Sequence, residues 1–473
     1  MTHFIGLLRS FLGGRRGNVA VTFVIASIPI MAAVGSAVDL SRAVRVRSKL
    51  QAAADSASVA AVALKSPGAV AAGTMSGNGN VSAGSTDALN VFNANLTGGT
   101  DYTNLSVTAS VTKTGVKLAS VVQFSADVTM DFMPLVGFKK ITVTGTSNST
   151  SSIPSYLDFY LMLDVSGSMG LPSTNAEQTR LAAINPDNYS QYPNGCTFAC
   201  HFSSSTACSS GQKYNTNGYC MGYALSRTAG NSSNTPVSAC TTDGTSACIQ
   251  LRADAVGYAV QQLLLTANNT QKVTNQFRIG LYPFIQYLYS YFPLTNNISG
   301  TSSGTIGYAA TNLATQLDTG NNSNLGSGGT HFENALPSMN SLITSVGDGT
   351  SQSSTQPFVF LVTDGAQNNQ TQWGGGWAGN NNATIMDNTL CTPLKQRGIT
   401  ISILYIPYQP IQNPTSFANN EDFAVNAIIP DIPNDLLNCA SNGFFFTANT
   451  PADITTALNA MFNKALVTAH ITN

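Results

Sequence analysis

Asp164-Val165-Ser166-Gly167-Ser168 places one carboxylate and two hydroxyls at alternate positions of a turn loosened by Gly167. It directly follows the apolar run Phe159-Tyr160-Leu161-Met162-Leu163, which reads as a buried strand. Oxygen donors at that spacing can face one point in space, and hard divalent cations prefer oxygen ligands. The chemistry predicted is cation-dependent binding, not catalysis. A hydrolase would need a general base beside the cation or carboxylates for a second metal, and neither is evident. His201 and His331 lack a nucleophile–base pattern and read as surface or packing residues. A Walker-type glycine loop and a G-x-S-x-G elbow are absent from the sequence.

The elements that must hold this turn begin at Ile153. Strand-like runs at Tyr156–Leu163, Arg278–Phe284, Phe358–Val362, Thr400–Tyr405 and Phe444–Phe446 alternate with helical stretches. The helices are expected at Ile249–Ala267, His331–Ser345, Ala383–Arg397 and Pro451–Leu466. Continuous apolar strands between helices predict an α/β fold, a doubly wound, mostly parallel sheet covered on both faces. Such sheets bind ligands at the carboxyl ends of strands, beside a topological switch point. Asp164 falls at such an end, and so does Asp364 in Val362-Thr363-Asp364-Gly365. Gly328-Gly329-Thr330 precedes a helix and can add a third loop.

These three pieces, in this order, resemble the metal-ion-dependent adhesion site (MIDAS) of a von Willebrand factor type A domain: D-x-S-x-S, a distant Thr and a distant Asp. The resemblance implies that Ser166 and Ser168 coordinate the ion through hydroxyls, and Thr330 directly or through water. Asp164 and Asp364 would bind mainly through water or hold the hydroxyls in place. It implies a divalent cation, Mg²⁺ first, with Ca²⁺ and Mn²⁺ as alternatives. Neutral direct ligands leave Mg²⁺ underneutralised, so an acidic group on a partner can complete its octahedral shell.

A typical type A domain runs from its metal loop straight into the first helix. Here a Ser-, Thr-, Asn- and Gly-rich stretch, residues 172–248, intervenes. Cys196, Cys200, Cys208, Cys220, Cys240 and Cys248 lie in or at the edge of it. Paired C-x₂-C knuckles are missing, so disulfides are preferred over zinc, with the pairing open. A low-charge loop with few large apolar groups needs such staples. Cys391 and Cys439 remain and are expected to pair with each other, pinning the loop after the strand at Thr400–Tyr405. Trp373-Gly374-Gly375-Gly376-Trp377 reads as an aromatic loop.

The 473 residues leave room for two or three domains. Only 9% are charged, and net charge is −1. Seven of the 21 Lys and Arg fall in residues 1–50, with Asp39 the one acid there. The remainder carries 14 basic against 21 acidic groups, which excludes a nucleic-acid footprint.

Val19–Val38 carries no charge and is long enough to span a bilayer. A cleaved signal peptide is disfavoured because the run is long and Ala-rich helix continues beyond it. Gly17 before the helix suggests a prepilin-type cleavage site, but Thr22 stands where such subunits carry glutamate; an uncleaved anchor is expected. Arginines flank both ends, so charge alone does not orient the span. An even count of eight cysteines, all C-terminal to it, points to an oxidising space and puts the N-terminus in the cytoplasm.

Beyond the span, Ala43, Val46, Leu50, Ala53, Ala57, Ala60 and Leu64 form a narrow seam of mostly small side chains. It can pack on its own chain or, less favourably, on a second copy. Pro67-Gly68 ends the helix, and residues 69–86 read as a loop. A short helix at 87–96 and strands at Leu105–Val111, Val116–Met130 and Lys140–Thr144 complete a small α+β stalk.

Arg15-Arg16-Gly17-Asn18-Val19, the apolar helix, Ala37-Val38-Asp39 and Leu50-Gln51-Ala52-Ala53-Ala54-Asp55 resemble the amino-terminal module of TadE/TadG-like Flp pilus-assembly proteins. Such a module with a C-terminal type A domain is the TadG arrangement. The resemblance implies a single-pass inner-membrane protein with its bulk in the periplasm, assisting assembly or anchoring of Flp pili through an envelope or pilus partner. A host- or surface-directed adhesin is the alternative. The expected organisation is a cytoplasmic tail (1–18), the membrane helix (19–38), the stalk (39–152) and the type A domain (153–473).

Overall fold

The computed structural model describes residues 18–96, 101–172, 174–176, 250–318, 323–373, 376–378, 382–411, 414 and 417–471. The chain divides into two compact units, residues 1–153 and 154–473.

The first unit opens with α1 (Asn18–Ala61), one continuous helix that carries Pro29 in its interior. Its N-terminal part is apolar and exposed: Phe23, Ile25, Ile28, Ile30, Met31 and Val34 all face outward. Among the described residues it is the one helix long and apolar enough to cross a membrane. The second half packs against the unit's own sheet, which uses the seam internally. Ala43, Val46, Leu50, Ala53 and Ala57 are buried, whereas Leu64 is exposed.

The helix stops at Ala61, and a second one, α2 (Pro67–Thr74), starts where the sequence predicts a loop. Ser66 caps it by accepting a hydrogen bond from Ala69 N–H at 3.0 Å. Ser-Pro is thus a helix start here, because Pro at the first position forfeits an N–H that would be unpaired anyway. Beyond it lie β1 (Gly79–Asn80), α3 (Ser82–Ala94), β2 (Thr103–Thr114), β3 (Lys117–Thr129) and β4 (Lys140–Ser152). The sheet is antiparallel in the order β1-β2-β3-β4, and β3 and β4 pair along their whole lengths. Lys113 is 1% exposed, and its Nζ donates to the carbonyls of Ala72 and Met75 at 2.9 and 2.8 Å. A buried cation is tolerated there because it satisfies the open C-terminal carbonyls of α2.

The second unit is built on β5 (Leu157–Asp164), α4 (Arg252–Thr270), β6 (Phe277–Phe284), β7 (Phe292–Thr295), α5 (Ile306–Thr311), α6 (Phe332–Leu342) and β8 (Gln356–Thr363). Four short strands come next: β9 (Ala366–Gln367), β10 (Thr371–Trp373), β11 (Gly376–Ala378) and β12 (Thr384–Ile385). The chain ends with α7 (Thr392–Gln396), β13 (Thr400–Tyr405), α8 (Phe417–Ile428), α9 (Ile432–Cys439), β14 (Phe445–Thr447) and α10 (Pro451–Ile471).

Six strands form one sheet in the order β14-β13-β8-β5-β6-β7. All neighbours are parallel except β7, which runs antiparallel on the edge. This is a doubly wound, mostly parallel α/β sheet with a hydrophobic core on each face. All eight residues of β5 are buried, and they alternate between two cores. Leu157, Phe159, Leu161 and Leu163 face one core, shared with Val260 and Leu263 of α4 and Phe462 of α10. Tyr160 and Met162 face the other, with Leu336 of α6 and Leu436 of α9. The strand reads as an unbroken apolar run because helices cover both faces.

Two expectations need correction. The helix expected at Ala383–Arg397 is instead β12, a 3₁₀ turn at Asn388–Cys391 and the short α7. Asp387 accepts from Thr389 N–H at 2.9 Å and so favours a turn. Pro393 fits the first turn of a helix and not its interior, so α7 starts only at Thr392. The aromatic loop around Trp373 is a small antiparallel hairpin of β10 and β11. Cys391 and Cys439 form a disulfide with Cα atoms 5.3 Å apart, tying that 3₁₀ turn to the end of α9. Cys196, Cys200, Cys208, Cys220, Cys240, Cys248 and His201 lie outside the described residues.

Phe159 sits among four aromatic rings, those of Phe277, Phe358, Phe360 and Phe462, with centroids 5.1–6.1 Å away. Phe159→Ala is therefore expected to cost about 3–5 kcal/mol. Chemical denaturation of the full chain measures it, and a loss below about 1 kcal/mol would contradict this packing.

Candidate metal centre

β5 and β8 are neighbours at the centre of the sheet, in a register that sets Leu163 beside Val362. The chain leaves β5 for β6 on one side and returns to β8 on the other, so the switch point lies between them. β5 ends in a carboxylate, Asp164, and another, Asp364, directly follows β8. Thr363 Oγ1 donates to Asp164 Oδ2 at 2.6 Å, which joins the two strand ends.

Asp164 Oδ1 in turn accepts from Ser166 N–H at 2.9 Å, which curls the turn back on itself. The hydroxyls of Ser166 and Ser168 then lie 3.2 Å apart. That separation suits two oxygens sharing one small cation at about 2.0–2.1 Å each. Asp164, Ser166, Ser168, Thr330 and Asp364 are all buried, none more than 8% exposed.

Thr330 lies on the third loop. Its backbone bridges Asn368, with Thr330 N–H donating to Asn368 O at 2.8 Å and Asn368 N–H donating back at 3.2 Å. Among the described residues its hydroxyl makes no hydrogen bond to the other four. Gly329 has φ +64°, and a Cβ there would run into the carbonyl oxygen of Asn368, so only glycine permits the bridge.

The side chains around these five escape a motif search. Arg252, the first residue of α4, is fully buried and donates from Nη1 to Asp364 Oδ2 at 2.9 Å. The same guanidinium reaches Pro407 O at 3.2 Å and lies over the Tyr408 ring, 5.2 Å from its centroid. Asp318 joins two loops. Its N–H donates to Val165 O at 2.9 Å, and its carboxylate accepts from Ser327 Oγ and Gly328 N–H, both at 2.9 Å. Asn368 donates to Glu421 Oε1 at 2.7 Å, and burial pushes Glu421 up to about 7. His331 packs in place between Glu333 Oε1 at 2.6 Å and Gln370 O at 2.9 Å.

Electrostatically, the site holds two buried carboxylates and one guanidinium, which pairs with Asp364 alone. Burial first, then the charge of Asp364, raises the Asp164 carboxyl to about 7. Burial also raises Asp364, against the opposing pull of Arg252. Asp364 Oδ1 is buried without a hydrogen-bond partner. An orphaned carboxylate oxygen, a second carboxylate and two adjacent hydroxyls fit a hard divalent cation in donor type and in charge. Among the described residues no group of three or more His, Cys, Asp or Glu could hold a metal. Any cation here would depend on hydroxyl donors.

Residues 17–64 match the Flp pilus-assembly TadE/G-like (Tad) family. Among solved structures, the pilus adhesin SpaC from Lactobacillus rhamnosus GG is 12% identical with a TM-score of 0.35, covering 78% of this chain and 35% of SpaC. The vWF domain of the type V pili tip protein Mfa5 from Porphyromonas gingivalis is 12% identical with a TM-score of 0.31, covering 67% and 97%. Proximal thread matrix protein 1 from the mussel byssus, solved with a zinc-occupied MIDAS motif, is 13% identical with a TM-score of 0.32, covering 66% and 48%. The chain thus spans about a third of SpaC. No curated protein matches it. The reading of the site rests on its own geometry.

Arg252→Met leaves Asp364 buried without its counter-charge and is expected to cost about 3–5 kcal/mol; adding Asp364→Asn should recover most of that. Thermal or chemical unfolding of the three proteins in chelator checks it, and an unrecovered double variant would contradict the pairing. Asp164 gives a pH signature. Without a cation its contribution to stability is complete below the ordinary carboxylate range and is lost as pH rises through its raised value. In chelator, wild type should lose stability relative to Asp164→Asn as pH rises to neutrality. Saturating Mg²⁺ should reverse that trend, as followed by Tm against pH.

Proposed function

We propose that this chain is a membrane-anchored, cation-dependent binding protein that assists assembly or anchoring of Flp pili. Asp164, Ser166, Ser168, Thr330 and Asp364 hold the cation, Mg²⁺ in the first instance. The anchor is α1, crossing the inner membrane once, and the second unit lies in the periplasm. The role is one of recognition, and no residue at the site is assigned to catalysis.

The observation that carries this reading is the balance of charge at the strand ends. Asp164, Asp364 and Arg252 together leave one net negative charge there. A divalent cation would turn that into one net positive charge. The bound ion supplies an electrophilic point for an oxygen ligand, and the buried carboxylates and hydroxyls hold it facing outward from the strand ends. An acidic group on an envelope or pilus-assembly partner would then be attracted only when the cation is bound. The match of residues 17–64 to the Tad family supports the pilus setting.

Calorimetric titration of the detergent-solubilised full chain with Mg²⁺ tests the site. Ser166→Ala and Asp164→Ala should each weaken binding by about tenfold or more. Unchanged affinity in both would remove these residues from the site. In cells, Asp164→Ala at the native locus should reduce surface pili and adhesion, and unaltered piliation would overturn the pilus role. Chelator-sensitive binding to matrix ligands with piliation intact would instead favour a host- or surface-directed adhesin.

A further inference from the structure

The connection between β3 and β4 reads Asp131-Phe132-Met133-Pro134-Leu135-Val136-Gly137-Phe138-Lys139. It is apolar at a place where hairpin tips are usually polar. Phe132 is 45% exposed and Phe138 59%. Apolar rings left in water forgo the stabilisation that burial would bring.

This tip is clamped to α1 by a set of specific contacts. Asp39 is 1% exposed, and its carboxylate accepts three backbone hydrogen bonds from the tip: Asp131, Phe132 and Met133 N–H at 3.0, 2.9 and 2.8 Å. Arg42 pairs with Asp131 at 3.1 Å. One turn earlier, Gly35 is buried. A Cβ at Gly35 would come within 2.5 Å of the Phe132 Cβ, so the ring packs directly on the helix backbone. At the base of the hairpin Lys140 is held by Asp127 at 2.6 Å.

These contacts fix the height of the tip along the helix. The uncharged stretch of α1 ends at Val38, and Asp39 and Arg42 are the first charges after it. The Phe132 ring therefore stands beside Gly35, next to Val34, whose side chain is exposed, and Phe138 is exposed six residues further along the same tip. An apolar span that crosses a bilayer meets the headgroups where its charges begin, and exposed apolar rings at that level can bury at the headgroup–acyl boundary.

We propose that the β3–β4 tip is a second membrane contact, with Phe132 and Phe138 entering the headgroup region of the bilayer that α1 crosses. The occupant is lipid because Phe132 packs on Gly35, within the exposed apolar stretch of α1 that would itself lie in the bilayer, and Phe138 is exposed on the same tip. The proposal rests on the reading of α1 as a membrane span. Two points of contact set the tilt and rotation of the helix, which a single span leaves to its neighbours.

The test uses the full chain reconstituted into phosphatidylcholine–phosphatidylglycerol vesicles, with the two native tryptophans replaced (Trp373→Phe, Trp377→Phe). Single tryptophans are then introduced as Phe138→Trp, Ile30→Trp and Val70→Trp. Quenching is read with lipids brominated either near the glycerol end or at mid-chain. Phe138→Trp should lose most of its fluorescence to the shallow bromines and little to the deep ones. Ile30→Trp should respond to the deep bromines, which verifies the span independently. Val70→Trp, exposed elsewhere on the same unit, should respond to neither. Quenching of Ile30→Trp without Phe138→Trp overturns the second contact and leaves the anchor standing. Loss of both overturns the anchor as well. A blue-shifted but unquenched Phe138→Trp means that protein, such as a second copy of the chain, covers the tip, and overturns the lipid assignment. Equal quenching of Val70→Trp and Phe138→Trp means general adhesion and overturns it too.

Discussion

Two carboxylates at the ends of neighbouring parallel strands cannot both stay charged in a dry interior without positive charge between them. That requirement organises the second unit. Arg252 answers half of it by neutralising Asp364 from the first turn of α4. Thr363 and the Ser166 N–H solvate Asp164 in place of water. What remains is a site that is electrostatically incomplete, with one carboxylate oxygen of Asp364 buried and unpartnered. A wholly structural pair would have been closed by a second cation from the chain, as Asp158 is by Arg278 near the opposite end of β5, through two hydrogen bonds at 2.7 and 2.5 Å. The contrast between these two buried aspartates on one strand separates a satisfied ion pair from an incompletely neutralised one.

The parts of this arrangement that are legible in the sequence are those written locally. β5 and β8 are runs of buried apolar residues of strand length, each ending in Asp or Thr-Asp, and a parallel sheet brings such ends to one edge. The longer helices α4, α6 and α10 are also legible, whereas α8, with twelve residues, is not. The short ones, α5, α7 and α9, carry six, five and eight residues, too few for periodicity to speak. The antiparallel edge strand β7 is only four residues long and half-buried, so its alternation is equally weak.

The supporting residues of the site are hidden for a different reason. Arg252 meets Asp364 across 112 positions, and Asp318 meets Val165 across more than 150. Neither partnership leaves a spacing rule, because both are consequences of the sheet topology. Ser66-Pro67 reads two ways because proline both stops and starts helices, and only the serine hydroxyl on Ala69 N–H distinguishes the two. In the same way, residues 131–139 read in sequence only as the connection between two expected strands. Its exposure is visible only once β3 and β4 pair along their full length and push it out.

The unbroken run of α1 from Asn18 to Ala61 has a consequence for how this protein can vary. With no hinge between the apolar segment and the sheet-packing segment, the helix acts as a ruler with a phase. Each inserted residue advances whatever lies upstream by about 1.5 Å and turns it by roughly 100°. Length changes of three or four residues nearly restore the facing of the upstream segment, whereas single insertions swing it to another side. Drift in this stretch should therefore proceed in whole turns, and the proline at position 29 marks the one place where an odd residue could be absorbed.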